Sequence, residues 1–345
     1  MISTSSSEFV GNKQALRLLS AAKAKNRASG SWLFTGPPSV GKSTLARWFA
    51  ALLLCSDETS DHPCGQCIHC RKIYHGSHPD VETISLALQA EQSGKPSREI
   101  GIDSIRNIIE RIYLRPFEAN RKVYLIEDAS TMTEEAANAF LKTLEEPPDF
   151  VTIVLIAIDD YSLPETIRSR CYRVNLQPVP HSEITRYLVN SLGVEQEEAN
   201  MIATLSNGRP GWAIRATHDR ALVAQVNDDW KYLNKILQSN DIERLKSAEE
   251  LSKDWSNKPN DRDDLYSLLF NWIGIIRLAT IKSFQENGSK AYLSENVDLI
   301  RFLSSLGPQH GYELIQQILK AIYMLDSNAN VRLVLENLFL KLPRV

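Results

Sequence analysis

Net charge of one sign is what this sequence has least of. Its 39 Lys and Arg against 42 Asp and Glu leave −3 at pH 7 with His neutral. Such balance gives no whole-molecule attraction to nucleic acid or to an anionic membrane, so any DNA contact must come from a local patch or from partner subunits. Clean apolar runs are missing too. The most apolar stretch, Leu265–Ile281, is broken by Asn271 and Arg277 and reads as a buried helix, not a membrane span. Met1–Glu8 is Ser/Thr-rich and lacks the basic-then-apolar pattern of a secretory signal, so the expected location is cytoplasmic, with no membrane partner. Cysteine is scarce, five in 345 residues, which argues against a disulfide framework in a chain with so much else to bury. What remains is ordinary globular composition, 43% hydrophobic and 23% charged, in a chain long enough for two or three domains.

The cysteines that are present are bunched. Cys55, Cys64, Cys67 and Cys70 follow a C-x8-C-x2-C-x2-C spacing, and Gly65 suits the tight turn such a knuckle needs. Four soft sulfurs are the donor set of a closed tetrahedral zinc site. His62 and His69 lie nearby, but four cysteines already complete the shell, so the expected ion is structural Zn2+. Its binding is worth roughly 10–16 kcal/mol toward ordering the insert. The plainer alternative, four reduced surface thiols, fits the short spacings poorly.

From Ser31 to about Gln177, short apolar strands alternate with helices, the mark of a parallel sheet covered on both faces. Strands are expected at Ser31–Thr35, Val81–Leu86, Val123–Ile126, Val151–Ile158 and Tyr172–Leu176, with helices at Ser43–Leu54, Ile102–Arg111, Thr133–Glu145 and Pro164–Arg168. Thr133 is the expected N-cap of its helix and Pro147-Pro148 its stop, while Ala90–Ser97 reads as an exposed loop. Beyond Pro178-Val179-Pro180 the strand signals stop. Helices are expected at His181–Ser191, Gln196–Leu205 and Pro210–Thr217, and everything from about Asp219 reads as helical, including Tyr312–Leu325 and Ala329–Leu340. The fold class is therefore α/β plus all-α, in three domains. These are an α/β domain over 1–177 with a zinc-binding insert at 55–70, a small helical lid over 178–218, and a larger helical domain over 219–345.

Gly36-Pro37-Pro38-Ser39-Val40-Gly41-Lys42-Ser43 follows a strand and opens a helix. In that context backbone N–H groups and the helix dipole cradle phosphates, as opposed to a Gly-rich turn without ligand. Gly36, Gly41, Lys42, Ser43 and Thr44 are the expected ATP or ADP contacts, Lys42 on the β/γ-phosphates and Ser43 on Mg2+. Hydrolysis also needs an acidic pair after a later strand. Here Glu127-Asp128 reverses the usual Asp-Glu order. Asp128 is a methylene short, and a misplacement of about 1 Å costs on the order of a hundredfold. Nucleotide binding with weak or absent hydrolysis is the expectation. Ser169-Arg170-Cys171 sits between a helix and the last strand. Its arginine either bonds a local helix end, which spacing alone favours, or projects toward a neighbour's nucleotide.

These residues together resemble one family, the AAA+ clamp-loader subunits of bacterial DNA polymerase III, and within it the delta-prime kind. The resemblance runs over nearly the whole length. Its carriers are Val10-Gly11-Asn12, the phosphate loop, the four-cysteine knuckle, Ala136 to Pro148 (AANAFLKTLEEPP), Ser169-Arg170-Cys171, and the last helix around Asn328-Ala329-Asn330, Leu333, Leu335 and Glu336. Val10 joins the expected nucleotide contacts on this basis. The gamma/tau motor subunit is the close relative, and departures from it favour delta-prime: the Glu127-Asp128 order, Ala157-Ile158 where the motor has a polar sensor, and Gly211 where the motor has a nucleotide-sensing arginine. Arg209 and Arg215 are close to that place but off position, and the sequence ends after the helical collar without the long tail of tau.

The resemblance implies a subunit of a hetero-pentamer with gamma/tau and delta subunits, joined through C-terminal collars, that loads the sliding clamp on primed DNA. It implies that Arg170, oriented by Ser169 with Cys171 buried behind it, completes the ATP site of an adjacent motor subunit. The alternatives are an ATP-hydrolysing gamma/tau-type motor, an autonomous P-loop ATPase, and a zinc-dependent scaffold that binds no nucleotide.

Overall fold

A computed structural model describes residues 9–57, 59–94, 99–257, 261–282, 296–326 and 329–344. Met1–Glu8, Lys95–Ser97 of the expected loop, and Asn328 lie outside them, as do 258–260 and 283–295 of the stretch expected to be helical. The chain divides into two compact units, Met1–Val179 and Pro180–Val345.

The first unit runs α1 (Lys13–Ala24), β1 (Gly30–Thr35), α2 (Lys42–Leu54), α3 (Ile68–Tyr74), β2 (Val81–Ile84), α4 (Leu86–Ser93), α5 (Ile102–Ile112), β3 (Lys122–Ile126), α6 (Glu134–Glu145), β4 (Val151–Ile156), α7 (Glu165–Arg168) and β5 (Tyr172–Asn175). All pairings are parallel, in the order β2-β3-β4-β1-β5. Side chains alternate between faces along each strand. On β3, Val123 and Leu125 join the cluster built on α1 and α2, whereas Tyr124 and Ile126 join the one built on α5 and α6. A sheet buried on both faces explains why β4, VTIVLI, is apolar at nearly every position and buried at all of them. Because β1 sits between β4 and β5, the loop leaving its C-terminal end opens at the crevice where such sheets bind ligands.

Thr133 caps α6 as expected, its hydroxyl accepting the Ala136 N–H at 3.2 Å. Two expectations are corrected. Strand β2 stops at Ile84, and Ala90–Ser93 of the expected loop is helical. Ser85 is the cause, accepting the Leu88 N–H at 3.2 Å as an N-cap, and Gly94 ends the turn at φ 67°.

The second unit is helical throughout its described residues: α8 (His181–Leu192), α9 (Gln196–Leu205), α10 (Pro210–Ala216), α11 (Arg220–Gln238), α12 (Asp241–Asn257), α13 (Asp261–Lys282), α14 (Val297–Ser305), α15 (Gly307–Asp326) and α16 (Val331–Lys341). Asp264–Ile281 of α13 is apolar and long enough to cross a membrane, at mean hydropathy 1.2, yet 61% of it is buried inside the protein. Trp272 on this helix is fully buried and donates to the Asp229 carbonyl at 2.9 Å. The architecture is a five-stranded parallel α/β unit followed by a helical unit.

Candidate functional site

Two glycines shape the phosphate loop. Gly36 has φ 141°, and a Cβ there would lie 2.5 Å from the Leu176 carbonyl oxygen. Its N–H donates to the Ile158 carbonyl at 3.0 Å, which ties the loop to the end of β4. Gly41, at φ 107°, caps α2 beneath the Phe9 ring, 3.0 Å from where a Cβ would sit. Lys42 Nζ donates to the carbonyls of Gly36 (2.6 Å) and Pro37 (2.9 Å), so the ammonium is held over the loop. Ser43 is half-buried and Thr44 exposed on the first turn of α2, and Val10, next to Phe9, is half-buried. An anion entering here meets the N-terminus of α2 and the Lys42 ammonium.

The acidic pair splits. Glu127 projects to the α2 side, where its Oε1 lies 3.7 Å from Arg47 Nη2. That oxygen is buried and has no hydrogen-bond partner among the described residues. Asp128 is exposed with φ 55°, and its carbonyl accepts from the N–H and hydroxyl of Thr131, both at 2.8 Å. Ala157, 3% exposed, packs on the face covered by α6. Arg209 is as buried as Ala157. It donates to the Ser206 carbonyl and to Asn271 Oδ1, both at 2.8 Å, with its guanidinium 5.8 Å over the Trp212 ring. Burial lowers its pKa to about 10. The side chain is therefore spent inside the helical unit, where Asn271 in turn donates to Asp229 Oδ2 at 2.7 Å.

Ser169 caps the C-terminus of α7, its hydroxyl donating to the Thr166 carbonyl at 3.2 Å. Arg170 donates from Nη1 to that carbonyl (2.9 Å) and from Nε to Glu145 Oε2 (2.8 Å), with Nη2 also 2.8 Å from that oxygen. The bond to a local helix end that spacing favours is thus present, joined by an ion pair that spacing does not reveal. Cys171 is half-buried, less enclosed than expected, and burial pushes its thiol up to about 12.

All four sulfurs of Cys55, Cys64, Cys67 and Cys70 lie within 4.8 Å of one another, Cys64 and Cys70 at 4.0 Å. A tetrahedron with Zn–S bonds of about 2.3 Å needs sulfurs about 3.8 Å apart, so the donor set fits. Backbone N–H groups back the sulfurs: Cys64 N to Cys55 Sγ (3.4 Å), Cys67 N to Cys64 Sγ (3.3 Å) and Cys70 N to Cys67 Sγ (3.4 Å). Burial opposes ionisation of Cys67, but N–H donors from Cys70 and Ser56 outweigh it and bring the thiol to about 6. Gly65 turns the knuckle at φ 70°. The cluster is consistent with structural zinc.

A second group, His69, His78 and Glu118, holds itself rather than an ion. The Asp80 N–H donates to His78 Nδ1 at 3.1 Å, which assigns the ring proton to Nε2, and Nε2 faces His69 Nδ1 at 2.9 Å. A metal-ligating His78 would need the opposite tautomer. Lys72 occupies both Glu118 oxygens at 2.7 and 2.6 Å.

The family described as "DNA polymerase III, delta subunit" matches residues 11–180. The chain is 34% identical over 181 residues to the DNA polymerase III subunit gamma of Buchnera aphidicola subsp. Acyrthosiphon pisum, covering 52% of this chain and 47% of that one. With the subunit gamma of Buchnera aphidicola subsp. Schizaphis graminum it shares 25% over 330 residues, 90% of this chain and 87% of that one. With the subunit delta' of Pseudomonas aeruginosa it shares 32% over 254 residues, 72% of this chain and 71% of that one. The chain belongs to the DNA polymerase III clamp-loader subunit family. It spans about half the length of some of these relatives, or less: 47% of the first gamma subunit and 26% of the tau/gamma of Haemophilus influenzae. Gamma and delta-prime subunits both stand among them.

In this clamp-loader subunit, sequence reasoning missed Phe9 over Gly41, Arg47 facing Glu127, and Glu145 on Arg170. Phe9 and Glu145 had no readable signal.

Proposed function

We propose that this clamp-loader subunit fills the delta-prime role, helping to load the sliding clamp on primed DNA while Arg170 completes a neighbouring subunit's ATP site. One observation carries the reading: Arg170 is gripped by Glu145 and Thr166, yet its side chain is still 31% exposed. A trans arginine speeds phosphoryl transfer by about 10³–10⁵, or roughly 4–7 kcal/mol. The chain's own site supports a passive part in hydrolysis. Ala157 is apolar and buried, Arg209 is committed elsewhere, and the acidic pair is split. ATP or ADP with Mg2+ binds at Gly36, Gly41, Lys42, Ser43 and Thr44 beside Val10, and is hydrolysed slowly or not at all.

The cysteine cluster carries one structural Zn2+. Residues 178–218 serve as a lid and 219–345 as a collar that joins gamma/tau and delta subunits in a hetero-pentamer in the cytoplasm. The test is reconstitution of the loader with and without this chain, scored by clamps loaded per primed template. Loading that is equal without it removes the role.

The gamma/tau motor is the second reading, favoured by the intact phosphate loop with Lys42 held over it. ATP hydrolysis by the isolated chain, abolished by Lys42→Ala, speaks against the passive part and for a hydrolysing subunit, a gamma/tau-type motor or an autonomous P-loop ATPase.

A further inference from the structure

Arg170 is fastened to two elements that are themselves anchored. Phe140 and Leu144 bury α6 against the sheet, and Ser31 of β1 donates to the Leu144 carbonyl at 2.9 Å, fixing the last turn of the helix. Glu145 is the final residue of that turn, ahead of Pro147-Pro148. On the other side, Ile167 is fully buried and holds α7, which presents the Thr166 carbonyl.

We infer that Glu145 is a positioning residue, locking the Arg170 guanidinium in the orientation from which it serves a neighbouring subunit's phosphates. The inference rests on the trans role proposed above. A guanidinium carries five N–H groups in one rigid plane. Glu145 takes the edge formed by Nε and Nη2, and Thr166 takes one N–H of Nη1. That leaves two N–H groups, one on each terminal nitrogen, to meet phosphate oxygens. With two sides of the plane fixed, the group cannot sample the many rotamers of a free arginine, so its orientation is set before the phosphate arrives.

The test uses the assembled loader and its DNA-stimulated ATP turnover. Arg170→Ala comes first: unchanged turnover removes the trans reading, and this inference with it. Given that Arg170→Ala slows turnover, Glu145→Ala is expected to lower kcat by about ten- to a hundredfold with KM for ATP unchanged. Glu145→Gln, which keeps an acceptor oxygen at the same reach, is expected to recover most of that loss. Glu145→Asp keeps the charge but withdraws it by a methylene, and is expected to behave like the alanine variant. The double variant Glu145→Ala/Arg170→Ala is expected to match Arg170→Ala alone. Turnover in Glu145→Ala or Glu145→Asp that equals or exceeds the wild type overturns the positioning role while leaving Arg170 in place. Zinc content and incorporation into the loader, equal to wild type, exclude misfolding; should the alanine variant not assemble, the Gln and Asp pair decides alone.

Discussion

Asn12 and Gln177 are clasped by two hydrogen bonds, Asn12 Nδ2 to the Gln177 carbonyl at 2.9 Å and the Gln177 N–H to Asn12 Oδ1 at 2.8 Å. Asn12 sits at φ 46°, a left-handed backbone that asparagine tolerates better than most residues. The clasp joins the segment that lays Phe9 on Gly41 to the strand end that presses Leu176 against Gly36. It therefore holds both sides of the phosphate loop.

Asn12→Ala loses both bonds and strains the left-handed turn. A loss of roughly 2 kcal/mol in the urea unfolding of the first unit is expected. Asn12→Gly, which relieves the strain, is expected to cost less. Equal stabilities for all three proteins would show that the clasp is ornamental.

Purified protein is expected to carry about one zinc per chain, measured by elemental analysis. A strong chelator should remove it and lower Tm, because the binding energy of the ion is also folding energy for the insert. Cys67→Ser should drop the zinc content well below that of the wild type. Full thermal stability after complete metal removal contradicts the assignment.

Asp80 gives a pH prediction. Burial opposes its charge, but N–H groups of Phe117, Glu118 and Ala119 at 2.6–2.8 Å outweigh it and hold the carboxyl below the usual 3.8. A depressed folded pKa means stability that is fully present above about pH 4 and lost as pH falls through the folded value. Asp80→Asn should thus cost about 2–3 kcal/mol at pH 7, and the gap to wild type should narrow in acid. A gap that is constant with pH rules out the charge as its source.

Lys42 and Arg209 separate binding from folding. Lys42→Ala is expected to abolish ATP binding by calorimetry while leaving Tm near wild type. Arg209→Ala is expected to leave ATP affinity unchanged and to destabilise the helical unit by about 3 kcal/mol, since it strands the buried Asn271 Oδ1 and leaves a cavity beside Trp212. Reversed effects would return Arg209 to the nucleotide.

What sequence could and could not reveal follows from the range of each interaction. The knuckle was legible because its four ligands lie within sixteen residues and the spacing carries the geometry. The inner strands β1, β3 and β4 were legible because cover on both faces makes nearly every residue apolar, whereas the edge strands β2 (VETI) and β5 (YRVN) carry a weaker signal. Ser85 and Leu86 looked like more of β2, and only the Ser85 cap marks the change to helix. Helix α1 went unread although Asn12 is a residue type that caps helices; in the structure it is left-handed and makes no side-chain cap bond. Glu145 ends α6 and Arg170 follows the cap of α7, 25 residues apart, and no periodicity links them. Their meeting is a product of the packing of α6 against α7.

The most direct measurement is the structure of the assembled loader with a non-hydrolysable ATP analogue in the adjacent subunit. Arg170 is expected within about 3 Å of a phosphate oxygen of that neighbour's nucleotide, with Glu145 still on its Nε edge. A guanidinium found facing bulk solvent, remote from any neighbour's triphosphate, contradicts the account.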